Sequence, residues 1–172
     1  DGSNNMMSPA VGIPSDFTSG EETDESIAAG AEHLKWVVEM GSQAYGTATG
    51  SNGRVFIGTN NEKPRVPSVT GDKGIVMCFD EATGELLWQL AVPKLAAGKV
   101  SDWEFLGICS SIVIDGDYGY VVTNRGEILC LDVHGMANGN DGFQDEAKYQ
   151  NGGLEKLAGA EPATLDDKAA DI

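Results

Sequence analysis

The stretch MCFDEATGELLW, residues 77–88, decides the fold. An apolar run leads into Asp-x-x-Thr-Gly, and a second apolar run ends at Trp88, which predicts a strand, a tight turn and a second strand. Neither run alternates apolar and polar residues, as an antiparallel sheet with one solvated face should. Because the link is too short for a crossover helix, we expect another sheet to cover each face.

Three segments of the chain recur further along it. The matched pairs are YGTATGSNGRVFIGTN (45–60) with CSSIVIDGDYGYVVTN (109–124), GIVMCFD (74–80) with GEILCLD (126–132), and HLKW (33–36) with ELLW (85–88). The last pair places Trp36 over Trp88. Internal repetition with a period of about 50–60 residues is typical of a solenoid or a propeller.

The repeat unit is predicted to be a meander of four short antiparallel strands. The strands are expected near 44–49, 54–59, 75–80 and 85–91, and again near 109–114, 118–123 and 127–132. The links between them have hairpin lengths and hairpin residues, such as Ser51-Asn52-Gly53. Such a unit makes one propeller blade, whose inner strands are dry on both sides because it lies between two other blades. A β-sandwich is the alternative, but it would leave one face of each sheet wet and would not explain the repeat.

The motif GRVFIGT…GIVMCFDEATGELLW resembles the blade motif of PQQ-like β-propeller repeat proteins, with Trp36 in the equivalent place of the preceding unit. This superfamily includes the quinoprotein dehydrogenases and the propeller lipoprotein of outer-membrane assembly, and the resemblance is strong over 33–135. It implies an all-β fold of four-stranded antiparallel blades, about two of them from a ring of roughly seven or eight. It also implies an extracytoplasmic location, periplasmic or secreted, in a bacterium.

On this interpretation the chain divides into six segments. They are an irregular arm (1–31), a closing outer strand of the last blade (32–41), blade one (42–91), an insertion between blades (92–107), three strands of blade two (108–132) and an acidic Gly/Ala-rich insertion before a missing fourth strand (133–172). So few strands cannot close a ring. We therefore expect the chain to belong to a larger protein, or to assemble with copies of itself or with another chain.

Composition restricts the class of partner. The formal net charge is −16, with only 11 Lys and Arg among 172 residues. Nucleic acids and anionic membrane surfaces attract clustered cations, so neither is an expected partner. No apolar stretch approaches the roughly 20 residues that span a bilayer, so direct membrane insertion is not expected either.

The chain has three cysteines, Cys78, Cys109 and Cys130. Their wide spacing matches neither a disulfide framework nor a zinc or haem motif. Each lies in or beside an apolar run, so all three are predicted to be buried free thiols.

The candidate binding face is formed by insertions. The insertion 61–72 and the insertion 92–107 are predicted to leave the same face of the blades, and Trp103, between Asp102 and Glu104, is the aromatic residue expected to bind there. The alternative is that Trp103 packs its insertion onto its own blade.

A candidate calcium loop follows the last predicted strand. Asp132, Asn138, Asn140 and Asp141 lie in a Gly-rich stretch, and calcium takes six to eight oxygen ligands. The spacing is not that of an EF-hand, and the alternative interpretation is a series of surface Asx turns.

Two functions remain open. The first is a non-catalytic scaffold, binding or structural, whose partner is a protein, a glycan or the remaining blades. The second is a fragment of a PQQ-dependent alcohol or sugar dehydrogenase, but the adjacent-cysteine pair of that family is absent, because Cys109 is followed by Ser110. His33 and His134 are predicted to be ordinary surface residues. The scaffold is the favoured prediction, with no catalytic or PQQ-binding residues.

Overall fold

The computed structural model describes residues 10–19, 30–94 and 103–137. Within these residues the chain is all-β and has no helix, which confirms the predicted class. The strands are β1 (Thr49–Ser51), β2 (Arg54–Asn60), β3 (Lys73–Asp80), β4 (Leu86–Pro93), β5 (Val113–Asp115), β6 (Tyr118–Val122) and β7 (Ile128–Asp132). A search of this described part for a helix able to cross a membrane found none.

The strands form two antiparallel sheets. Sheet 1 has the order β1-β2-β3-β4, and sheet 2 has the order β5-β6-β7. The central hairpins of the two sheets share one register, because Phe56 pairs with Cys78 in sheet 1 and Tyr120 pairs with Cys130 in sheet 2. These four positions also coincide in the sequence repeat, so the repeat corresponds to a real structural equivalence.

The turn between β3 and β4 is built by the Asp-x-x-Thr-Gly motif. One carboxylate oxygen of Asp80, Oδ1, accepts hydrogen bonds from the backbone N–H of Thr83 at 2.7 Å and from its hydroxyl at 2.9 Å. Gly84 donates its N–H to the Asp80 carbonyl at 2.8 Å. The φ of Gly84 is 76°, a conformation that favours glycine. The tight turn predicted from residues 77–88 is therefore present.

The first strand is shorter than predicted and begins at Thr49 rather than near 44. Thr47, just before it, and Thr49, its first residue, bond to the second repeat unit. The N–H of Thr47 donates to Ser111 Oγ at 2.8 Å, and the Thr49 hydroxyl donates to the Ile112 carbonyl at 2.7 Å.

Residues 32–41, predicted to be an outer strand, form no strand in the structure. Glu32 makes only an isolated antiparallel bridge with Thr18. The described residues fall into two compact units that divide between Glu39 and Met40, so these residues lie mainly in the first unit. An outer strand needs a neighbouring strand to pair with, and the strand expected to pair with 32–41 lay in another blade, so that pairing stays a prediction.

The central strand of sheet 1, β3, is buried on both faces, as its non-alternating sequence predicts. The face toward sheet 2 joins a continuous apolar cluster that consists of Phe56, Val76, Cys78, Trp88, Leu90, Val92, Ile108, Ile112, Val121, Leu131 and Val133. On the far face Ile75, Met77 and Phe79 are at most 1% exposed, and the Arg65 guanidinium lies 6.0 Å from the centre of the Phe79 ring. On the face toward sheet 2, Val76 and Cys78 are wholly buried. Both faces of β3 are therefore shielded from water.

Sheet 2 alternates. Its inner face packs on sheet 1 through Val121 and Leu131, each 1% exposed. Its outer face is open. It carries Val113, Tyr118, Tyr120, Val122, Ile128 and Cys130, with Asp115 and Asp132 beside Tyr118 at one end. Residues 127–132 are predicted to be covered on both faces by neighbouring blades. Among the described residues only the inner face is covered, so burial of the outer face stays a prediction.

The three cysteines also differ in burial. Cys78 is buried, whereas Cys109 and Cys130 are exposed, so the prediction of three buried thiols is right for Cys78 alone. All three are free. Burial raises the pKa of the Cys78 thiol to about 12, with Arg54 lowering it and Asp80 raising it by smaller amounts.

Thiol titration should distinguish these environments. At pH 8 the raised pKa keeps Cys78 protonated, and the thiolate is the form that reacts. We expect two thiols of the folded protein to react rapidly with Ellman's reagent, and the third to react only after unfolding in urea. Rapid reaction of all three in the folded protein would contradict the buried position of Cys78.

Gln89 is a buried polar side chain on the far face of sheet 1, opposite Met77. It is 1% exposed, and neither its Oε1 nor its Nε2 atom has a hydrogen-bond partner among the described residues. Burying an unsatisfied amide costs about 1–3 kcal/mol. Gln89→Met keeps the length of the side chain, and we expect it to raise the free energy of unfolding by about 1–2 kcal/mol in urea denaturation.

The matched control for Gln89 is Gln43→Met, because the Gln43 side chain is exposed and accepts a hydrogen bond from the Tyr45 hydroxyl at 2.7 Å. Its effect should stay within about 0.5 kcal/mol. A loss of stability in Gln89→Met would contradict the prediction and would mean that the buried amide is satisfied.

Candidate binding face

The ends of the two long insertions meet at one end of sheet 1, as predicted. Asp72 closes the first insertion, and its Oδ2 atom accepts a hydrogen bond from the Phe105 N–H at 2.8 Å. Lys94 Nζ lies 4.0 Å from the same oxygen and also donates to the Trp103 carbonyl. These contacts fix the residues around Trp103 against the ends of β3 and β4.

Asn60, at the end of β2, also binds the loop that carries Trp103. Its side chain is wholly buried and donates from Nδ2 to the Phe105 carbonyl and to Ser42 Oγ. Its Oδ1 accepts from the N–H groups of Ser42 at 3.1 Å and Glu62 at 3.0 Å. One amide thus joins three separate segments of chain.

Asn60 was not predicted to be a site residue. The signal was present, because Thr59-Asn60 recurs as Thr123-Asn124 in the repeat. The Thr59 hydroxyl donates to the Gln43 carbonyl at 2.7 Å, so the first copy of this dipeptide fixes loops through both of its side chains.

A groove of about 430 Å³ lies beside this loop. It is lined by Trp103, Leu106, Gly107, Cys109, Ser110, Val122, Thr123 and Asn124. The two hydroxyl groups of the lining are hydrogen-bonded to the backbone. Ser110 Oγ donates to the Val122 carbonyl at 2.7 Å, and Thr123 Oγ1 accepts from the Arg125 N–H at 3.2 Å. The lining therefore offers the Trp103 indole, the Cys109 thiol and the Asn124 amide, whose Nδ2 donates to the Pro93 carbonyl at 3.2 Å.

The predicted binding residues are placed as follows. The side chain of Trp103 is 63% exposed, which favours a binding role over packing of its insertion onto the sheet. Glu104 is exposed beside it. Asp102 lies outside the described residues. An exposed indole on a fixed loop can stack on a flat apolar group, and the adjacent carboxylate adds negative charge.

Of the four predicted calcium ligands, Asp132 alone is among the described residues. Asp132 Oδ1 accepts the His134 N–H at 2.7 Å, as Asp80 Oδ1 accepts the Thr83 N–H, so this carboxylate caps a turn. Asn138, Asn140 and Asp141 lie outside the described residues. Within the described ranges, no group of three or more His, Cys, Asp or Glu side chains is arranged to hold a metal ion.

His134 has more partners than the sequence predicts. Its Nδ1 atom lies 2.9 Å from Arg54 Nη2, and its Nε2 atom lies 3.3 Å from Asp117 Oδ1. Because a guanidinium only donates, Nδ1 accepts, and the ring proton is on Nε2, which donates to Asp117. The imidazole therefore links β2 of sheet 1 to the β5–β6 turn of sheet 2. His33 is exposed, as predicted.

Comparison of the chain with models of protein families, with curated proteins and with solved structures gave no match. The class that the fold and the candidate face define is therefore an all-β protein with two stacked antiparallel sheets and an exposed aromatic loop at one end of them.

Proposed function

We propose that this chain forms part of a PQQ-like β-propeller and acts as a non-catalytic binding or structural scaffold in an extracytoplasmic assembly. One observation carries the proposal: two units with matching sequences form sheets of the same register, and the two sheets are in contact through unlike faces. Propellers and solenoids are made by repeating one such step.

The sense of the stacking supports a repeat over a sandwich. Sheet 2 packs its inner face, with Val121 and Leu131, against the Phe56 and Cys78 face of sheet 1. In the sequence alignment Val121 and Leu131 correspond to the far face of sheet 1, whereas Phe56 corresponds to Tyr120 on the outer face of sheet 2. Unlike faces are therefore in contact. Two equivalent sheets that close a sandwich would bring like faces together.

The scaffold role is supported by what the candidate face offers. Trp103 is exposed on a loop held by Asn60 and Asp72, while the neighbouring hydroxyls are bonded to backbone. A fixed aromatic residue on a rigid sheet suits recognition of a protein or glycan, because little side-chain entropy is lost on binding.

The binding arm of the test places a photoreactive phenylalanine analogue at position 103 of the protein expressed in its native cell. The matched site is Glu81, which is exposed in the β3–β4 turn. We expect covalent adducts from position 103 and none from position 81. No adduct at 103, or the same adducts from both sites, would overturn the proposed binding role.

The catalytic arm tests the alternative function, a PQQ-dependent dehydrogenase. The purified chain is given PQQ, calcium ions, an electron-accepting dye and a panel of alcohols and sugars. We expect no dye reduction above the rate without protein. Turnover that depends on added PQQ would overturn the non-catalytic role.

A further inference from the structure

The groove beside Trp103 is small and presents apolar surface to a ligand. Its volume of about 430 Å³ is at the lower end of the roughly 300–1,000 Å³ that is typical of ligand sites. Trp103 is 63% exposed and Val122 is 47% exposed, and Leu106 completes this part of the lining. An apolar group that fills the groove leaves water, and this transfer favours binding.

The hydroxyl groups of the lining are already used within the fold. Ser110 Oγ donates to the Val122 carbonyl at 2.7 Å and accepts from the Val122 N–H at 3.1 Å. Thr123 Oγ1 accepts from the Arg125 N–H at 3.2 Å. A glycan carries many hydroxyls, and each one that is buried without a partner lowers the affinity. Among the described lining residues they would meet the Asn124 amide and few other polar groups, so the groove suits a protein better than a glycan.

The charges beside the groove favour a cation. Glu104 is exposed next to the indole. Two described cations lie nearby, and each is paired with a carboxylate: Lys94 Nζ lies 4.0 Å from Asp72 Oδ2, and Arg125 Nε lies 3.2 Å from Glu127 Oε1. The net charge of −16 attracts cations to the whole chain. An exposed indole binds a cation on the face of its ring.

We infer that the Trp103 groove takes from a protein partner a bulky apolar side chain together with an adjacent cationic one. The apolar side chain packs against Leu106 and Val122, and the Lys or Arg of the partner stacks on the Trp103 indole beside Glu104. The inference rests on the proposed binding role and deepens it by naming the chemistry of the partner. Trp and Arg are also the residue types that often dominate binding energy at protein interfaces.

The loop holds the indole ready for this contact. Phe105 has a φ of 54°, a conformation that is unfavourable for a residue other than glycine. Its N–H donates to Asp72 Oδ2 at 2.8 Å, and its carbonyl accepts from Asn60 Nδ2. Such strain persists only where the surroundings maintain it, and it is common at ligand sites. A side chain on a loop fixed in this way has less freedom to lose on binding.

The test uses the full chain and follows the groove through Cys109, which is exposed in the lining. The probe is the peptide Gly-Leu-Arg-Gly, acetylated and amidated so that arginine carries its only charge. Alkylation of Cys109 by iodoacetamide is measured by mass spectrometry, with Cys130 as the internal reference. We expect about 10 mM peptide to slow Cys109 alkylation about fivefold, as mass action gives for a dissociation constant of about 2.5 mM. Cys130 should react at an unchanged rate.

Two altered peptides and a sugar separate the contributions to binding. Replacing the arginine of the peptide by glutamine removes the charge, and replacing the leucine by alanine removes most of the apolar side chain. Each altered peptide should slow Cys109 alkylation less than about twofold at the same concentration, and maltohexaose should not slow it. Equal protection by the arginine and glutamine peptides, or protection by the sugar, would overturn the inference.

Variants of the chain locate the contact. In Trp103→Leu the arginine and glutamine peptides should protect Cys109 equally, because the ring face that binds the cation is gone. Trp103 is 63% exposed, so this variant should keep the circular dichroism spectrum of the normal chain. Glu104→Gln should weaken protection by the arginine peptide, whereas Glu81→Gln, in the exposed β3–β4 turn, should not. A Trp103→Leu chain that still prefers arginine would contradict the assignment.

The remaining outcomes also decide the matter. If Cys109 of the chain alone reacts as slowly as the buried Cys78, the chain's own residues cover the groove and the inference is overturned. Covalent adducts from position 103 without protection of Cys109 by the arginine peptide would overturn only this inference. PQQ-dependent turnover with a protected Cys109 would overturn only the non-catalytic role.

Discussion

Trp88→Ala is expected to lower the free energy of unfolding by about 3–5 kcal/mol, the usual cost of truncating a buried aromatic side chain. The Trp88 side chain is 3% exposed and packs beside Phe56. Its Nε1–H donates to the Val133 carbonyl at 3.0 Å, so one residue of β4 links sheet 1 to the end of sheet 2. Urea denaturation followed by circular dichroism measures the loss without relying on tryptophan fluorescence.

Trp103→Ala is the matched control, because this tryptophan is 63% exposed. Its effect should be no more than about 0.5 kcal/mol. Trp88→Phe separates the two contributions of Trp88: it keeps a buried ring but leaves the Val133 carbonyl without its donor, at a cost of about 1–3 kcal/mol. Equal effects of Trp88→Ala and Trp103→Ala would contradict the position of Trp88 between the sheets.

The sequence is sufficient to predict sheet 1 because its signals are local. The Asp80 turn and the apolar runs on either side of it specify a hairpin, and their lack of alternation requires cover on both faces. That cover exists: the second repeat unit buries one face of β3, and the other is equally dry.

The burial predicted for β7 depends on a neighbour that the described residues do not supply. A non-alternating run such as Ile128–Asp132 records the environment for which the side chains are suited, and it does not say which segment provides it. In the described structure Ile128 and Cys130 are exposed, although their equivalents Val76 and Cys78 are fully buried.

The candidate face was only partly predictable. The position of Trp103 in a long insertion between repeats was enough to select it as a binding residue. The side chains that hold its loop were not selected, because Asn60 and Phe105 are 45 residues apart and meet only in the folded chain. The backbone conformation of Phe105, with a φ of 54°, was not predictable from the sequence either.

Gly107→Ala should be the second strongly destabilising change, lowering the free energy of unfolding by about 2–5 kcal/mol through backbone strain and a steric clash. The φ of Gly107 is 71°. That left-handed conformation costs another residue about 1–2 kcal/mol. A Cβ atom there would also lie 2.4 Å from the Thr59 carbonyl oxygen, far closer than van der Waals contact. That oxygen accepts the Ile108 N–H at 3.1 Å, so the loop cannot move away without losing a bond to β2. Urea denaturation measures the loss.

Gly126→Ala separates the two causes. The φ of Gly126 is 75°, but a Cβ atom there would meet nothing within 4 Å. Only the backbone cost of about 1–2 kcal/mol therefore applies. The excess for Gly107→Ala then measures how closely the Trp103 loop is held against β2. Forcing this loop outward should also speed alkylation of Cys109, two residues away, while Gly126→Ala leaves that rate unchanged. Equal losses for the two variants would mean that the loop yields freely, and that Trp103 is not held on a rigid support.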